Sequence, residues 1–371
     1  MERKTLPFSS LGRILTCPGS IDLIRELGRP DVDNDDARLD GIRAHRYAED
    51  YLSTNLDSLD IDMEGVTEEM MDAVECYTDD VLQIARLTGA TPIVEGELVA
   101  KPIDKEGRVR GRADCWLFDS ANNTIYVWDF KYGRRKVDAY ESWQLIAAAA
   151  GALYNTNHRP GCKIVMRIVQ PRCYRYEGPV DIWITSKESL EPKFREAQSI
   201  VNYIFDDEKL LKTCTPSKYC SSCPAAHGCP ALHNTALNII DFVDDNVPTF
   251  LKDNSLAWFL SQCEIAEKRL QSILDGLRTE ALYRVEHGTA IPGYHLKSGY
   301  SHARWIISDA EVLALGELAG VDLSDNGVKT PAQAKKAGIP DDLVGSMSKR
   351  YPTEAKLVAD GNMYHKLTFG D

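Results

Sequence analysis

The chain has no run of the roughly eighteen consecutive apolar residues that a membrane helix needs, and Met1 to Ser10 carries charges without an apolar stretch. Both absences predict a soluble, cytoplasmic protein with no membrane partner. The composition of a disordered or collagen-like chain is also missing. The 371 residues should therefore bury a full core, as one large domain and a smaller one. Nor is there an excess of positive charge. Lys and Arg number 43 against 56 Asp and Glu, a net −13, which excludes indiscriminate coating of nucleic acid. Cysteine is present, ten in all, but four lie between Cys214 and Cys229, a clustering that suits metal binding in a reducing compartment better than disulfides.

What is present centres on residues 107–132, GRVRGRADCWLFDSANNTIYVWDFKY. Arg108 to Phe118 and Thr124 to Tyr132 are rich in β-branched and aromatic residues, and turn formers separate them, so the stretch predicts a β-hairpin. Alternation puts Ile125, Val127, Asp129 and Lys131 on one face and Tyr126, Trp128 and Phe130 on the other. With a loop over Ser120 to Asn123, antiparallel register sets Asp114 opposite Asp129. Two opposed carboxylates are destabilising unless a cation joins them or one is protonated, and a divalent metal is the simplest answer. Lys131 would then hold or deprotonate a water beside that metal. Charge supports the location. Nine basic residues, Arg110, Arg112, Arg134, Arg135 and Lys136 among them, stand against five acids between Lys101 and Lys136. Either a DNA-binding patch or a solvated sheet edge accounts for that.

Gly-Arg-x-Asp, a turn, then Asp-x-Lys resembles the core of the PD-(D/E)XK nuclease superfamily, in particular its RecB-like branch. The resemblance implies a restriction-endonuclease-like α/β fold, a mixed central sheet flanked by helices. It also implies that Asp114 and Asp129 bind Mg2+ or Mn2+ while Lys131 assists the attacking water. Gly41-Ile-Arg-Ala-His45, on a predicted helix, resembles the branch's pattern in which the histidine joins the metal site. Pro92 to Ala100 reads as a strand bearing Glu95 and Glu97 on one face; the family's glutamate is expected here, with Glu97 preferred. Gln144 matches the family's Gln-x-x-x-Tyr, but Ala148 replaces the tyrosine. These motifs are similar to those of a phage-associated family, and that likeness covers nearly the whole chain.

Helices are predicted over Phe8 to Cys17, Thr67 to Leu87, part of Val137 to Tyr154, Ser189 to Phe205 and Leu256 to His287. Strands are predicted over Lys163 to Gln170 and Pro179 to Ile184, and a hairpin over Tyr294 to Ile306. Cys220-x2-Cys223-x5-Cys229 lets one loop present three thiolates to a single centre, with Cys214 or Cys17 as the fourth. One N-terminal Cys-Pro plus this triplet resembles the iron-sulfur nucleases of the RecB-like branch. There a 4Fe-4S cluster, here on Cys17, Cys220, Cys223 and Cys229, staples the ends of the nuclease domain; structural Zn2+ is the alternative. The expected organisation is a nuclease domain over 1–237 and an α-rich accessory region over 238–371. The resemblance implies a phage or prophage DNA exonuclease. Its partners would be duplex ends or single strands, a phage single-strand annealing or single-strand-binding protein, and further copies of itself as a homo-oligomer. A nicking or structure-specific endonuclease and a non-catalytic DNA-end scaffold are the competing readings.

Overall fold

The computed structural model describes residues 5–27, 36–53, 65–206, 212–245, 253–300, 302–325 and 327–359. The chain divides into two compact units, Met1–Gly276 and Leu277–Asp371. In the first, β1 (Leu6–Pro7) leads into α1 (Phe8–Thr16) and, past Pro18, into α2 (Gly19–Glu26). The helix stops at Pro18-Gly19 as the sequence predicted, with Cys17 as its C-cap, and because proline also fits a helix start a second helix opens there. Next come α3 (Asp36–Ser53), α4 (Glu68–Thr88), β2 (Ile93–Val99), β3 (Val109–Asp119), β4 (Thr124–Phe130), α5 (Trp143–Tyr154), β5 (Lys163–Val169), β6 (Val180–Ser186) and α6 (Lys187–Asp206). The cysteine loop precedes α7 (Pro230–Asp245) and α8 (Asp253–Glu286). Thr67 caps α4 by accepting the Met70 N–H, and Gly89 in the left-handed region ends it.

A six-stranded mixed sheet results. β3 is its long central strand: β2 pairs antiparallel along one edge, while the other edge takes β1 in parallel at Val109–Arg110 and β4 antiparallel from Cys115 to Asp119. β4 runs parallel to β5, with α5 as the crossover, and β5 antiparallel to β6. Two cores sandwich the sheet. Ile125, Val127 and Trp116 pack with residues of α1, α5 and α6. On the other face Trp128, Phe130, Cys115 and Leu117 pack with α3 and α4. The alanines of α5 let this helix lie close to the strands, and a Cβ at Gly151 would come within 2.7 Å of the Leu98 Cβ. Trp128 Nε1 and the Arg167 guanidinium both close on Asp80, so the second core carries a satisfied ion pair.

In the second unit, β7 (Tyr294–Tyr300), β8 (Arg304–Trp305), α9 (Asp309–Ala319), β9 (Ser324–Asp325), β10 (Gly327–Val328), α10 (Pro331–Lys336), α11 (Asp341–Ser346), β11 (Ser348–Lys349) and β12 (Pro352–Ala359) enclose a small core around Val312, Leu315 and Val344. The hairpin predicted over Tyr294 to Ile306 does not form. β7 pairs with β12 and β8 with β11, because the register is set by a distant segment that local pattern does not reveal. Among the described residues no helix is long and apolar enough to cross a membrane.

Candidate functional site

The hairpin forms with the expected loop, Ser120 to Asn123. Its last paired step is Cys115 with Trp128, and one step further along that register Asp114 faces Asp129. Here β4 leaves β3. The amide of Phe130 is no longer in the ladder and donates to Asp114 Oδ2 at 2.7 Å. The opposite edge of β3 is interrupted at the same level: Val94 pairs with Cys115 and Gly96 with Ala113, while Glu95, opposite Asp114, is left out of the ladder. Glu95 has φ of 46°, costly for a residue with a Cβ. Across this step the facing of the strand reverses. Ala113 belongs to the first core and Cys115 to the second, although alternation would put both on one side.

This irregularity assembles the site. One ligand atom each from His45, Glu95 and Asp114 lies within 4.8 Å of the others, with His45 Nδ1 at 3.6 Å from Asp114 Oδ1. Glu97, the expected glutamate, is elsewhere. Its side chain is 84 % exposed beside Arg112 at 3.9 Å, because the left-handed turn at Glu95 breaks the alternation that would have put the two glutamates on one face. Glu49, one helical turn after His45, lines the same cleft as Arg46, Asp50 and Lys131, a space of about 770 Å3. Its spacing from His45 was the overlooked signal: i and i+4 share a helix face.

Asp129 is not a member of the tight trio. It is buried, and its Oδ1 accepts from Lys131 Nζ at 2.9 Å and Gln144 Nε2 at 2.9 Å, while Lys131 also reaches Gln144 Oε1 at 3.3 Å. Its Oδ2 is buried without a hydrogen-bond partner. The site is thus two adjoining groups, a His-Glu-Asp trio and an Asp-Lys-Gln trio. Burial pushes the Asp114 carboxyl above its ordinary range; His45 opposes the rise and Asp129 adds to it. Burial likewise raises Glu95, helped by Asp114 and Glu49. For Lys131 burial acts downward, but Asp129 and Asp114 outweigh it and the ammonium is held above its usual value.

A carboxyl raised in the fold favours folding below the ordinary carboxylate range, and that advantage is lost as pH rises through the raised value. Asp114→Asn should therefore raise the Tm of EDTA-treated protein at pH 7, and leave it unchanged below the ordinary carboxylate range, as thermal melts would record. Identical melts at pH 7 would mean that the charge on Asp114 is already compensated.

The basic stretch separates into two places. Arg108 closes on Asp104, and Arg110 folds back onto the Gly107 carbonyl at 2.7 Å, so this end supports a turn. Arg134, Arg135 and Lys136 follow Lys131 and the cleft residues Tyr132 and Gly133. Arg134 pairs with Glu69, Arg135 donates to Ser221, and Lys136 pairs with Asp138.

Five cysteines line one pocket, Cys17, Cys214, Cys220, Cys223 and Cys229. The segments that carry Cys17 and Cys214 are brought together by Gly19 N–H on the Thr213 carbonyl at 3.0 Å. Backbone N–H groups of Thr215 and Ser217 donate to Cys17 Sγ and Cys220 Sγ at 3.2 Å each, and Ala225 N–H donates to Cys223. Cys214, against Cys17 and Cys229, has its thiol pushed up to about 12, mainly by burial. Among the described residues no three of these sulfurs lie within 4.8 Å of one another.

No curated protein matches this chain. Several solved structures are similar over part of it, two of them as follows. An alkaline exonuclease (LHK-Exo) from Laribacter hongkongensis is 13% identical, with a TM-score of 0.24, over 45% of this chain and 89% of its own. The protein SSO0001 is 15% identical, with a TM-score of 0.26, over 57% of this chain and 95% of its own. Scores of this size do not establish a common fold. A family model does match, over residues 4–344, and so the chain belongs to the family described as "Protein of unknown function (DUF2800)".

Proposed function

We propose that the chain is a metal-dependent nuclease that hydrolyses phosphodiester bonds at DNA ends. The observation that carries this reading is the pairing of the His45-Glu95-Asp114 trio with the Asp129-Lys131-Gln144 trio in one open cleft. Oxygen and imidazole donors suit Mg2+ or Mn2+. The unpartnered, buried Asp129 Oδ2 also fits a cation. Glu49, Asp50, Glu95 and Asp114 together would repel a phosphate from the cleft unless a cation offset them. His45, Glu95 and Asp114 would hold the ion, with Asp129 Oδ2 as a further donor. The ion supplies Lewis-acid stabilisation of charge on the phosphate and acidifies water. Gln144 and Lys131 fix one oxygen of Asp129 and so aim the other. Lys131 keeps its charge between two carboxylates and can donate to a water or a phosphate oxygen beside them.

We propose that the five-cysteine pocket holds an iron-sulfur cluster rather than zinc. Backbone N–H groups aimed at three of the sulfurs suit the thiolates of a 4Fe-4S cluster. We assign its ligands to Cys17, Cys220, Cys223 and Cys229.

Incubating the protein with end-labelled linear DNA and closed circular DNA, in Mg2+ or Mn2+ and in EDTA, tests the function. An exonuclease degrades only the linear DNA and only with metal. Cutting of circles would make it an endonuclease, and intact DNA in every lane would leave a binding scaffold. On the same protein Glu95→Gln should weaken Mn2+ binding by about tenfold or more in calorimetric titration, whereas Glu97→Gln should not change it, since carboxylate ligation is lost only at Glu95.

A further inference from the structure

The loop between β5 and β6 carries Cys173-Tyr174-Arg175-Tyr176, and the two tyrosines are 92% and 93% exposed. Between them Arg175 turns inward. Its side chain is only 7% exposed, donating to the Val137 carbonyl and lying within 3.5 Å of Asp138 and Asp181. The loop is fastened to the segment after Lys131 at two more points. Gln170 Nε2 donates to the carbonyls of Gly133 and Arg135 at 2.7 Å each, and the Arg172 guanidinium lies 4.2 Å from the ring of Tyr132 while donating to the Tyr132 carbonyl. Tyr132 and Gly133 line the cleft, so the loop is fastened to residues of its rim. Tyr140, from the fastened segment, is 68% exposed and sits edge-on to Trp183.

Scattered exposed apolar side chains need no explanation, but tyrosines held outward by a buried arginine are another matter. Their rings contribute little to the core, and the anchors remove in advance the loop entropy that a ligand would otherwise have to overcome. Exposed aromatic rings on a loop fastened to the segment that carries Arg134, Arg135 and Lys136 match the stacking platform and cationic track that bind single-stranded nucleic acid. A duplex hides its base faces by stacking, and only unpaired bases present them.

We propose that Tyr174 and Tyr176 form a base-stacking platform for single-stranded DNA at the rim of the cleft. The platform extends the nuclease reading by naming the substrate form, and rests on that reading for its purpose. Fluorescence anisotropy in EDTA, on the full chain, tests it with three labelled probes: an oligothymidylate, an abasic strand of the same length and a blunt duplex. Tyr174→Ala/Tyr176→Ala should weaken oligothymidylate binding by about ten- to a hundredfold, the loss expected for one or two stacked bases. Binding of the abasic strand and the duplex should stay within about twofold, and the salt slope should hold, because no charge is removed. The double phenylalanine variant should bind as the parent does. Parental affinity of the alanine variant for oligothymidylate, or equal losses on all three probes, would overturn the platform and leave the rim as a face for a protein partner. Stacking-dependent binding without metal-dependent cleavage would sink the nuclease reading alone; cleavage with unchanged binding would sink the platform alone.

Discussion

Asp129→Asn should abolish DNA cleavage, by about 10²–10⁴-fold in rate, while the protein stays folded. The asparagine keeps the shape of the side chain, and its carbonyl oxygen can still accept from Lys131 or Gln144. What disappears is one of two negative charges that face each other across β3 and β4, together with the ion pair to Lys131, so the two effects offset and the fold should persist. The oxygen without a protein partner becomes an amide, which repels a cation instead of binding it. Lys131→Met should cost cleavage to a similar degree through the loss of its donor, but with a stability penalty, because it leaves the buried Asp129 with Gln144 alone. The two variants separate chemistry from folding. Single-turnover digestion gives the rates and thermal melts give the fold. Parental rates in either folded variant would remove the Asp-Lys-Gln trio from the mechanism.

How far the site was legible depended on whether its geometry followed from period two. The hairpin, its four-residue loop and the opposition of Asp114 and Asp129 were readable because turn formers and alternation fix register. Gln144 and His45 fell into place on their helices. Glu95 did not, because the decisive feature is a backbone angle of 46° on a residue that gives no sign of it in sequence. Parity arguments fail where a strand reverses facing, and strands reverse where the ladder breaks. The same limit applied to β7, whose partner β12 lies dozens of residues away and beyond local pattern. On α8 the periodicity was visible but not its meaning. Trp258, Leu270 and Leu277 recur at helical spacing, which suits either a core or another subunit, and they are 46%, 42% and 47% exposed.

Cys17→Ser should strip the proposed cluster and destabilise the whole first unit, and this is the largest stability effect expected of any single side chain here. Cys17 follows α1, whose Leu11, Ile14 and Leu15 are buried in the main core. Its proposed partners lie beyond α6, so ligation closes a loop of about two hundred residues. In the chain-entropy model of cross-links such a loop is worth about 5 kcal/mol, less any native strain, which corresponds to a fall in Tm on the order of 10 °C or more. Phosphodiester hydrolysis needs no electron transfer, so the loss should appear first in stability and DNA binding, with the chemistry failing only as the fold does. Protein prepared without oxygen should be brown, from thiolate-to-iron charge transfer, and carry about four irons per chain. Cys17→Ser should be colourless. Cys214→Ser should keep its colour, since Cys17, Cys220 and Cys223 receive the backbone N–H bonds that favour bound thiolates. Colourless parent protein with one zinc per chain, dependent on Cys214 and indifferent to Cys17, would replace the clasp with a local zinc knot. The cleft on β3 and β4 would then have to hold the first unit's chemistry without help from its far end.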